Sequence, residues 1–307
     1  MQVFVTGAAG YIGGSIAARL IEAGHGVRGL VRSEAKAEAV RALGITPVEG
    51  TLDDGELLAE EARGADAVIN AASSDHRGAV DALLAALAGS DKPFLHTSGS
   101  SVIGDEARGE PSDRVVREND DFEPHPARAA RYALDRAVLG AGKDGVRSAV
   151  LCNTLIYGRG LGAQPDSIQV PYLVRQARAS GVARHVGRGL NVWSHVHIED
   201  LADLYVLALA KAEPGSFLFV ENGEASFRDM AAKVAQALGC AGPEDWPFPE
   251  AAAAWGEAMA TFTMGSNSRV RGALGRELGW SPSRPGVLDW IAKANVDAIG
   301  EGSGGGH

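Results

Sequence analysis

The chain has 307 residues, 45% hydrophobic and 22% charged, enough to bury a sizeable core as one large or two small domains. Its net charge is −10. Such an acidic balance repels phosphate backbones and anionic lipid, which makes nucleic acid and membrane poor partners.

The elements follow in chain order. "QVFVTG" (2–7) forms a strand almost at once, so no signal-peptide pattern is visible, and no apolar run reaches the length of a membrane span. A soluble, cytoplasmic protein is expected. Helix "SIAARLIEAG" (15–24), strand "GVRGLV" (26–31), helix 34–44 and strand "ITPVEG" (45–50) come next. Helix 54–64, strand "DAVINAA" (66–72), helix 77–89 and strand "PFLHTSG" (93–99) continue the rhythm. A helix over 126–141 precedes one strand, "SAVLCNTLIYG" (148–158). Strands this continuously apolar, alternating with amphipathic helices, predict a parallel sheet covered on both faces.

Beyond residue 158 the rhythm breaks. A helix near 170–181, a Gly/Arg/His-rich loop (181–197), helix 198–212 and strand "GSFLFVE" (215–221) are expected. Helix 227–239, a Pro/Trp segment and a last helix near 286–298 complete the chain. The fold class is therefore α/β: a Rossmann-type doubly wound parallel sheet over 1–158 and a smaller C-terminal α/β substrate lobe over 159–300. Some segments of the lobe return to the sheet, and a disordered tail covers 301–307. Cys152 and Cys240 stand far apart, with neither disulfide nor metal spacing.

"VTGAAGYIGG" (5–14) follows a strand and opens a helix. Gly7, Gly10 and Gly13 permit a tight turn and let backbone N–H groups approach a pyrophosphate at the helix N-terminus. Dinucleotide binding is the expectation. At the end of the second strand stand Val31 and Arg32, with no carboxylate for ribose hydroxyls. Arginine there suits a 2′-phosphate, which favours NADP(H) over NAD(H).

Together with these features, "TGAAGYIG" (6–13), "GTLDD" (50–54), "NAAS" (70–73), "HTSGSSVIGD" (96–105), "TLIYG" (154–158), "HVHIEDLA" (195–202) and "ELGWSPSRP" (277–285) resemble the ordered motifs of the short-chain dehydrogenase/reductase superfamily, extended epimerase-like type. The resemblance covers nearly the whole chain. It implies hydride transfer at a nicotinamide, with Tyr11 and Ile12 beside the glycine loop and Thr51 and Leu52 at the adenine. It places Ala71, Ala72, Ser73 and Thr97 beneath the cofactor, and Thr154, Leu155 and Ile156 facing the nicotinamide. Tyr157 and Trp193 are candidate substrate-lining residues.

The family's usual machinery is a Tyr-x-x-x-Lys pair plus a Ser. No such pair exists in the helix from 126. Two registers replace it: Tyr132–Arg136, or Ala127–Arg131. At 100° per residue Ala127, Ala130, Leu134, Ala137, Val138 and Ala141 make one apolar stripe with Arg131 on its flank, which favours the second register. In the family the Tyr often follows a Pro, as Ala127 follows Pro126. The chain thus resembles an atypical subgroup without the Tyr. Arg131 is the expected cofactor-ribose and oxyanion charge, with Tyr132 and Arg136 as the alternative. Gly99 occupies the catalytic serine position, so Ser98 or Ser100 substitutes. His125 is a candidate proton donor, its ordinary pKa lying near neutrality.

No metal is expected from His195 and His197, which lack a third ligand. The function implied is NAD(P)H-dependent oxidoreduction of a small carbonyl or hydroxyl compound. The alternatives are a non-catalytic NADP(H)-binding sensor or a sugar-nucleotide-type epimerase or dehydratase. A homodimer is possible through helices 77–89 and 126–141.

Overall fold

The computed structural model describes residues 1–294 and 299. β1 (Gln2–Thr6), α1 (Tyr11–Glu22), β2 (Gly26–Val31), α2 (Glu34–Arg41), β3 (Thr46–Glu49), α3 (Gly55–Gly64), β4 (Ala67–Asn70), α4 (Arg77–Leu87) and β5 (Pro93–Gly99) alternate as the sequence predicts. A long connection leads to α5 (Ala129–Gly140) and β6 (Arg147–Asn153). Then come β7 (Leu155–Tyr157), α6 (Gln169–Ser180), β8 (Val182–Val186), β9 (Val192–His197), α7 (Ile198–Lys211), β10 (Ser216–Val220) and β11 (Glu224–Ser226). α8 (Phe227–Leu238), β12 (Ala241–Trp246), α9 (Phe248–Trp255) and α10 (Val287–Lys293) follow.

The main sheet has seven strands in the order β10-β6-β5-β4-β1-β2-β3, all parallel. Strand alternation sends β1 into two cores: Val3 and Val5 pack with α1 and α7, whereas Phe4 packs with α3, α4 and α5. Burial on both faces is why these strands read as continuous apolar runs. β10, from the C-terminal half, forms the far edge of this sheet beside β6.

The C-terminal lobe has its own core, built from residues such as Leu155, Tyr157, Leu173, Trp193, Phe227 and Met230. Among the described residues no helix is long and apolar enough to cross a membrane.

Several boundaries differ from the sequence reading. Segment 148–158 is two strands, because the chain turns at Thr154, whose hydroxyl donates to the Val220 carbonyl at 2.8 Å. β6 stays in the main sheet, while β7 joins β9 and β11 in a three-stranded sheet. The stretch 181–197 is not one loop. It holds β8, paired with β12, and β9, paired with β7. Its Arg and His residues disguise an alternation in which Ala183, His185 and Val186 are buried. The Pro/Trp segment likewise forms β12 and α9, and its Trp246 and Trp255 rings meet edge-on at 5.0 Å beside the lobe core. Residues 126–128 make a 3-10 turn rather than the first turn of α5. The end of the expected last helix (295–298) and the tail 301–307 lie outside the described residues.

Candidate active site

The turn after β1 leaves no room for side chains. Gly7 has φ +75°, and a Cβ on it would lie 2.8 Å from the Ala71 carbonyl oxygen. A Cβ on Gly13 would lie 2.3 Å from the Gly7 carbonyl oxygen. Backbone is therefore packed on backbone, and β1 is locked to the end of β4. Gly10 caps α1 without any side-chain hydrogen bond, so the first-turn N–H groups keep their capacity for an anion.

The strand order reverses between β1 and β4, the position where open parallel sheets bind ligands. A cavity of about 460 Å³ opens there. Tyr11, Ile12, Ala71, Ala72 and Ser73 line one side, and Thr97 through Ser101, Asn153, Thr154 and Ile156 line its floor. Trp193, Ile168 and Thr263 from the C-terminal half close the other side. Tyr11 donates its hydroxyl to the Gly158 carbonyl at 2.9 Å, tying the turn to the segment after β7. A second hollow of about 560 Å³ shares no residue with this one, and its Arg271 and Arg276 are salt-bridged to Glu224 and Glu221.

Small backbone-packed turn, uncapped helix end and crevice together fit a dinucleotide. Gly7, Gly10 and Gly13 form the turn, with Tyr11, Ile12, Ala71, Ala72, Ser73, Thr97, Thr154 and Ile156 on the cavity wall. Leu155 does not join them. Strand alternation turns it into the lobe core, where it is 1% exposed. Arg32 is exposed at the carboxyl end of β2 and makes no hydrogen bond or ion pair among the described residues. Thr51 follows β3, its hydroxyl and N–H held by Asp54, and Leu52 packs on the α3/α4 side of the sheet.

Of the two helix registers, the structure brings Arg131 to the cavity and leaves Tyr132 and Arg136 outside its lining. Tyr132 packs instead on Phe122 at 5.0 Å, and Arg136 is exposed. The apolar stripe is narrower than expected: Ala127 and Ala130 are exposed, and α5 buries Leu134, Asp135 and Val138. The 3-10 turn at 126–128 has three residues per turn, which rotates Ala127 off the buried face.

The Arg131 guanidinium is gripped before any ligand enters. Nε and Nη2 donate to the two oxygens of Asp75, the former at 2.8 Å, and Nη1 donates to the Ser101 hydroxyl at 3.1 Å. Nη1 also lies 3.6 Å from where a Gly99 Cβ would sit. These contacts use three of its five N–H groups. The Arg131 side chain beside it holds Asp75 below the usual carboxylate range, an effect that burial opposes. Neither Asp75 nor Ser101 is among the sequence candidates. Their signal was proximity to motif residues: Asp75 follows "NAAS", and Ser101 follows Ser100.

Ser98 and Ser100 both line the cavity, with their hydroxyls already engaged. Ser100 Oγ accepts from the Ser268 hydroxyl at 2.8 Å. Ser98 donates to Asp135 Oδ2 at 2.7 Å. Asp135 is fully buried on α5, one turn after Arg131, and burial pushes its carboxyl up to about 7 despite Ser98 and Arg131. Its other oxygen lies 3.7 Å from His96 Nε2. His96 is also fully buried, and burial together with Arg131 pushes its pKa down to about 4. The Asn70 amide, oriented by Thr6 donating to its oxygen at 2.6 Å, reaches His96 Nδ1 at 3.0 Å. That orientation assigns the imidazole proton to Nε2, facing Asp135.

Two other candidates sit elsewhere than expected. Tyr157 does not line the cavity. It is 0% exposed, packs edge-on against His195 and His197, and donates its hydroxyl to the Pro285 carbonyl at 2.6 Å. Strand alternation in β7 points it, like Leu155, into the lobe core. His125 caps the 3-10 turn: Nδ1 accepts the Ala127 N–H, and Nε2 is 2.7 Å from Glu106. It is not a lining residue. Trp193 does line the cavity, with its indole N–H donating to the Ser266 carbonyl at 2.9 Å. His197 caps α7 through Nδ1, and Asp200 accepts the N–H groups of Ser283 and Arg284. Among the described residues no group of three or more His, Cys, Asp or Glu is placed to hold a metal.

Residues 3–218 match the model of the NAD dependent epimerase/dehydratase family. A protein named oxidase ucsJ from an Acremonium species is 35% identical, over 97% of this chain and 99% of its own. A 4-hydroxy-2-methyl-3-oxo-4-farnesyl-3,4-dihydroquinoline-1-oxide ketoreductase of Stigmatella aurantiaca is 30% identical over 73% of this chain and 69% of its own. Among solved structures, the Streptomyces venezuelae dTDP-glucose 4,6-dehydratase with NAD bound superposes with a TM-score of 0.74 at 21% identity, covering 97% of this chain and 96% of that one. The likeness to that structure is one of fold. By its family match and its relatives, the chain belongs to the NAD dependent epimerase/dehydratase family, in the extended short-chain dehydrogenase/reductase superfamily, as a nicotinamide-dependent oxidoreductase.

Proposed function

We propose that the protein is an NADP(H)-dependent reductase or dehydrogenase of a small ketone or secondary alcohol, working in the cytoplasm. The observation that carries the cofactor preference is Arg32: exposed, unpartnered among the described residues, and at the carboxyl end of β2 where no carboxylate stands. A free guanidinium there binds a 2′-phosphate by charge-assisted hydrogen bonds. The glycine turn and first-turn N–H groups of α1 hold the pyrophosphate, and Thr51 and Leu52 edge the adenine. When bound, the dinucleotide supplies or accepts the hydride.

The remaining work falls to the chain itself. Arg131 keeps two N–H groups for a ribose hydroxyl or for negative charge on the substrate oxygen. It cannot give up a proton. Asp75 and Ser101 fix its plane, so that charge is aimed before substrate arrives. Trp193 and Ile168 supply an apolar surface that suits the hydrocarbon part of a carbonyl substrate. The names of the relatives, a ketoreductase and 2-alkyl-3-oxoalkanoate reductases, support that substrate class.

Fluorescence titration with NADPH and NADH tests the reading. NADPH is expected to bind at least tenfold tighter, and Arg32→Ala to erase most of that difference, since a hydrogen bond to a charged group contributes about 1.5–3 kcal/mol. Tighter NADH binding, or no effect of Arg32→Ala, refutes the NADP(H) assignment. The exposed Ala127 at the tyrosine position favours a second reading, a dinucleotide sensor. Tight NADPH binding without turnover of any aldehyde or ketone in a panel would select it. A homodimer through the outer faces of α4 and α5 is part of the proposal, checked by light scattering.

A further inference from the structure

A carbonyl reduction needs one proton for each hydride. The tyrosine that the family uses is absent, and among the described residues lining the cavity few groups can replace it. The Tyr11 hydroxyl is committed to the Gly158 carbonyl, and Arg131 does not titrate in water. The Thr97 and Thr154 hydroxyls are paired with Tyr205 and the Val220 carbonyl, and the Ser100 and Ser101 hydroxyls accept from Ser268 and Arg131 with no acid behind them to replace a proton they give up. Ser98 alone among these lining hydroxyls sits on a carboxyl group.

We propose that Ser98 and Asp135 form a proton-delivery pair: the Ser98 hydroxyl gives its proton to the substrate oxygen, and Asp135, sealed behind it, replaces that proton. The proposal rests on the reductase reading above.

The geometry sets the direction of transfer. As a carboxylate, Asp135 accepts from Ser98 and holds its hydrogen away from the cavity. As an acid, Asp135 donates to Ser98 Oγ across the same 2.7 Å, and the Ser98 hydrogen is released toward substrate. The step balances. The carbonyl carbon takes hydride from the reduced dinucleotide, and its oxygen becomes an alkoxide. The Ser98 O–H bond breaks as the product O–H forms, and the Asp135 O–H bond breaks as the Ser98 O–H re-forms. Asp135 is left ionised, and one proton from solvent restores it through Ser98 after product leaves. Oxidation runs the same chain backwards.

Polar groups from several elements surround Asp135. From β5, His96 presents Nε2–H to the oxygen that Ser98 leaves free, at 3.7 Å, and neither atom has a hydrogen-bond partner among the described residues. From α5 comes Arg131, and from the segment after β4 comes Asp75. From β6 comes the buried Cys152, register partner of Ser98. The Ser98 hydrogen bond and Arg131 favour the ionised product of the transfer. Burial and Asp75 favour the acid that begins it, so both states are accessible near neutrality. Asp135 thus acts through Ser98 as a positioning residue and proton reservoir.

The test combines a carboxyl titration with kinetics. Infrared difference spectra of the protein without cofactor, between about pH 5 and pH 9, should show a buried protonated carboxyl near neutrality that Asp135→Asn removes. With NADPH and a panel of small ketones, wild-type kcat for reduction should fall as pH rises through that titration. Asp135→Asn should lower kcat roughly 100- to 1,000-fold and flatten the profile, leaving NADPH affinity and KM unchanged. Asp135→Glu should recover part of kcat. Ser98→Ala should match Asp135→Asn, and the double variant should be no slower than either, as expected for residues acting as a unit. A carboxyl already ionised at about pH 5, or a kcat profile untouched by Asp135→Asn, overturns the pair while the reductase reading stands. Wild type that binds NADPH yet reduces nothing overturns the reductase reading and the pair with it.

Discussion

Asp135→Asn gives a test that needs no substrate. The group is fully buried, and its carboxyl is pushed from an ordinary value of 3.8 to about 7, chiefly by burial. A carboxyl whose folded value is raised favours the protonated form on folding. Its cost is therefore absent at low pH, grows as pH rises from about 4 to 7, and is complete above the folded value. At ~1.4 kcal/mol per pH unit the full cost is about 4 kcal/mol, of which about 2–3 kcal/mol develops between pH 5 and pH 8. Asparagine carries no charge and escapes it. His96 works in the opposite sense: its folded value of about 4 lies below an ordinary 6.5, so it withdraws stability as pH falls from about 6.5 to 4. That term is common to both proteins and cancels in their difference. Urea unfolding of wild type and Asp135→Asn at pH 5 and pH 8 measures it. The variant should gain about 2–3 kcal/mol relative to wild type over this interval. A difference that stays flat, or shrinks with rising pH, would show that Asp135 is an ordinary carboxylate paired with its surroundings.

Three further outcomes are expected. Gly13→Ala places a Cβ 2.3 Å from the Gly7 carbonyl oxygen, which backbone movement alone can relieve. Calorimetry should find NADPH binding lost, with stability lowered by about 1–3 kcal/mol. Arg131→Ala should abolish turnover of a substrate that wild type reduces, whereas Tyr132→Phe, whose ring packs on Phe122 outside the cavity, should leave it unchanged. Reversed behaviour would mean that the helix register at the site is wrong. Tyr157→Phe strands the Pro285 carbonyl and should cost about 1–3 kcal/mol by denaturation. Its KM and kcat should not change, since Tyr157 belongs to the lobe core.

The strand–helix alternation, the glycine turn and the placement of Arg131 rather than Tyr132 at the crevice could be read from the chain, although Ala127 and Ala130 fell outside the apolar stripe used for that register. Each rests on local geometry: apolar strands buried on two faces, glycines where a Cβ has no room, and the angular spacing of residues along a helix. Other features depended on partners far away in sequence. Leu155 and Tyr157 read as part of one strand with Ala149–Cys152. Only the Thr154 contact to Val220 and the pairing of Leu155–Tyr157 with His195–His197 show that the chain changes sheets there, and so turns Tyr157 away from the cavity. Strands 182–186 and 192–197 carry Arg and His and look like loop until Ala241–Trp246 and Leu155–Tyr157 pair with them. The buried acid was the hardest to see. In the sequence Asp135 is one charged residue among alanines and arginines, with a faint signal in its position between Leu134 and Val138, one turn after Arg131. Its environment is set by Ser98 and His96, 37 and 39 residues earlier, and by the sheet that brings them together. The sequence by itself determined where the glycine turn meets the start of a helix, because that geometry is local to one turn and one helix end. The tertiary structure decided which groups can hold a proton, because a carboxyl's proton affinity depends on burial, and burial is a property of the packed chain.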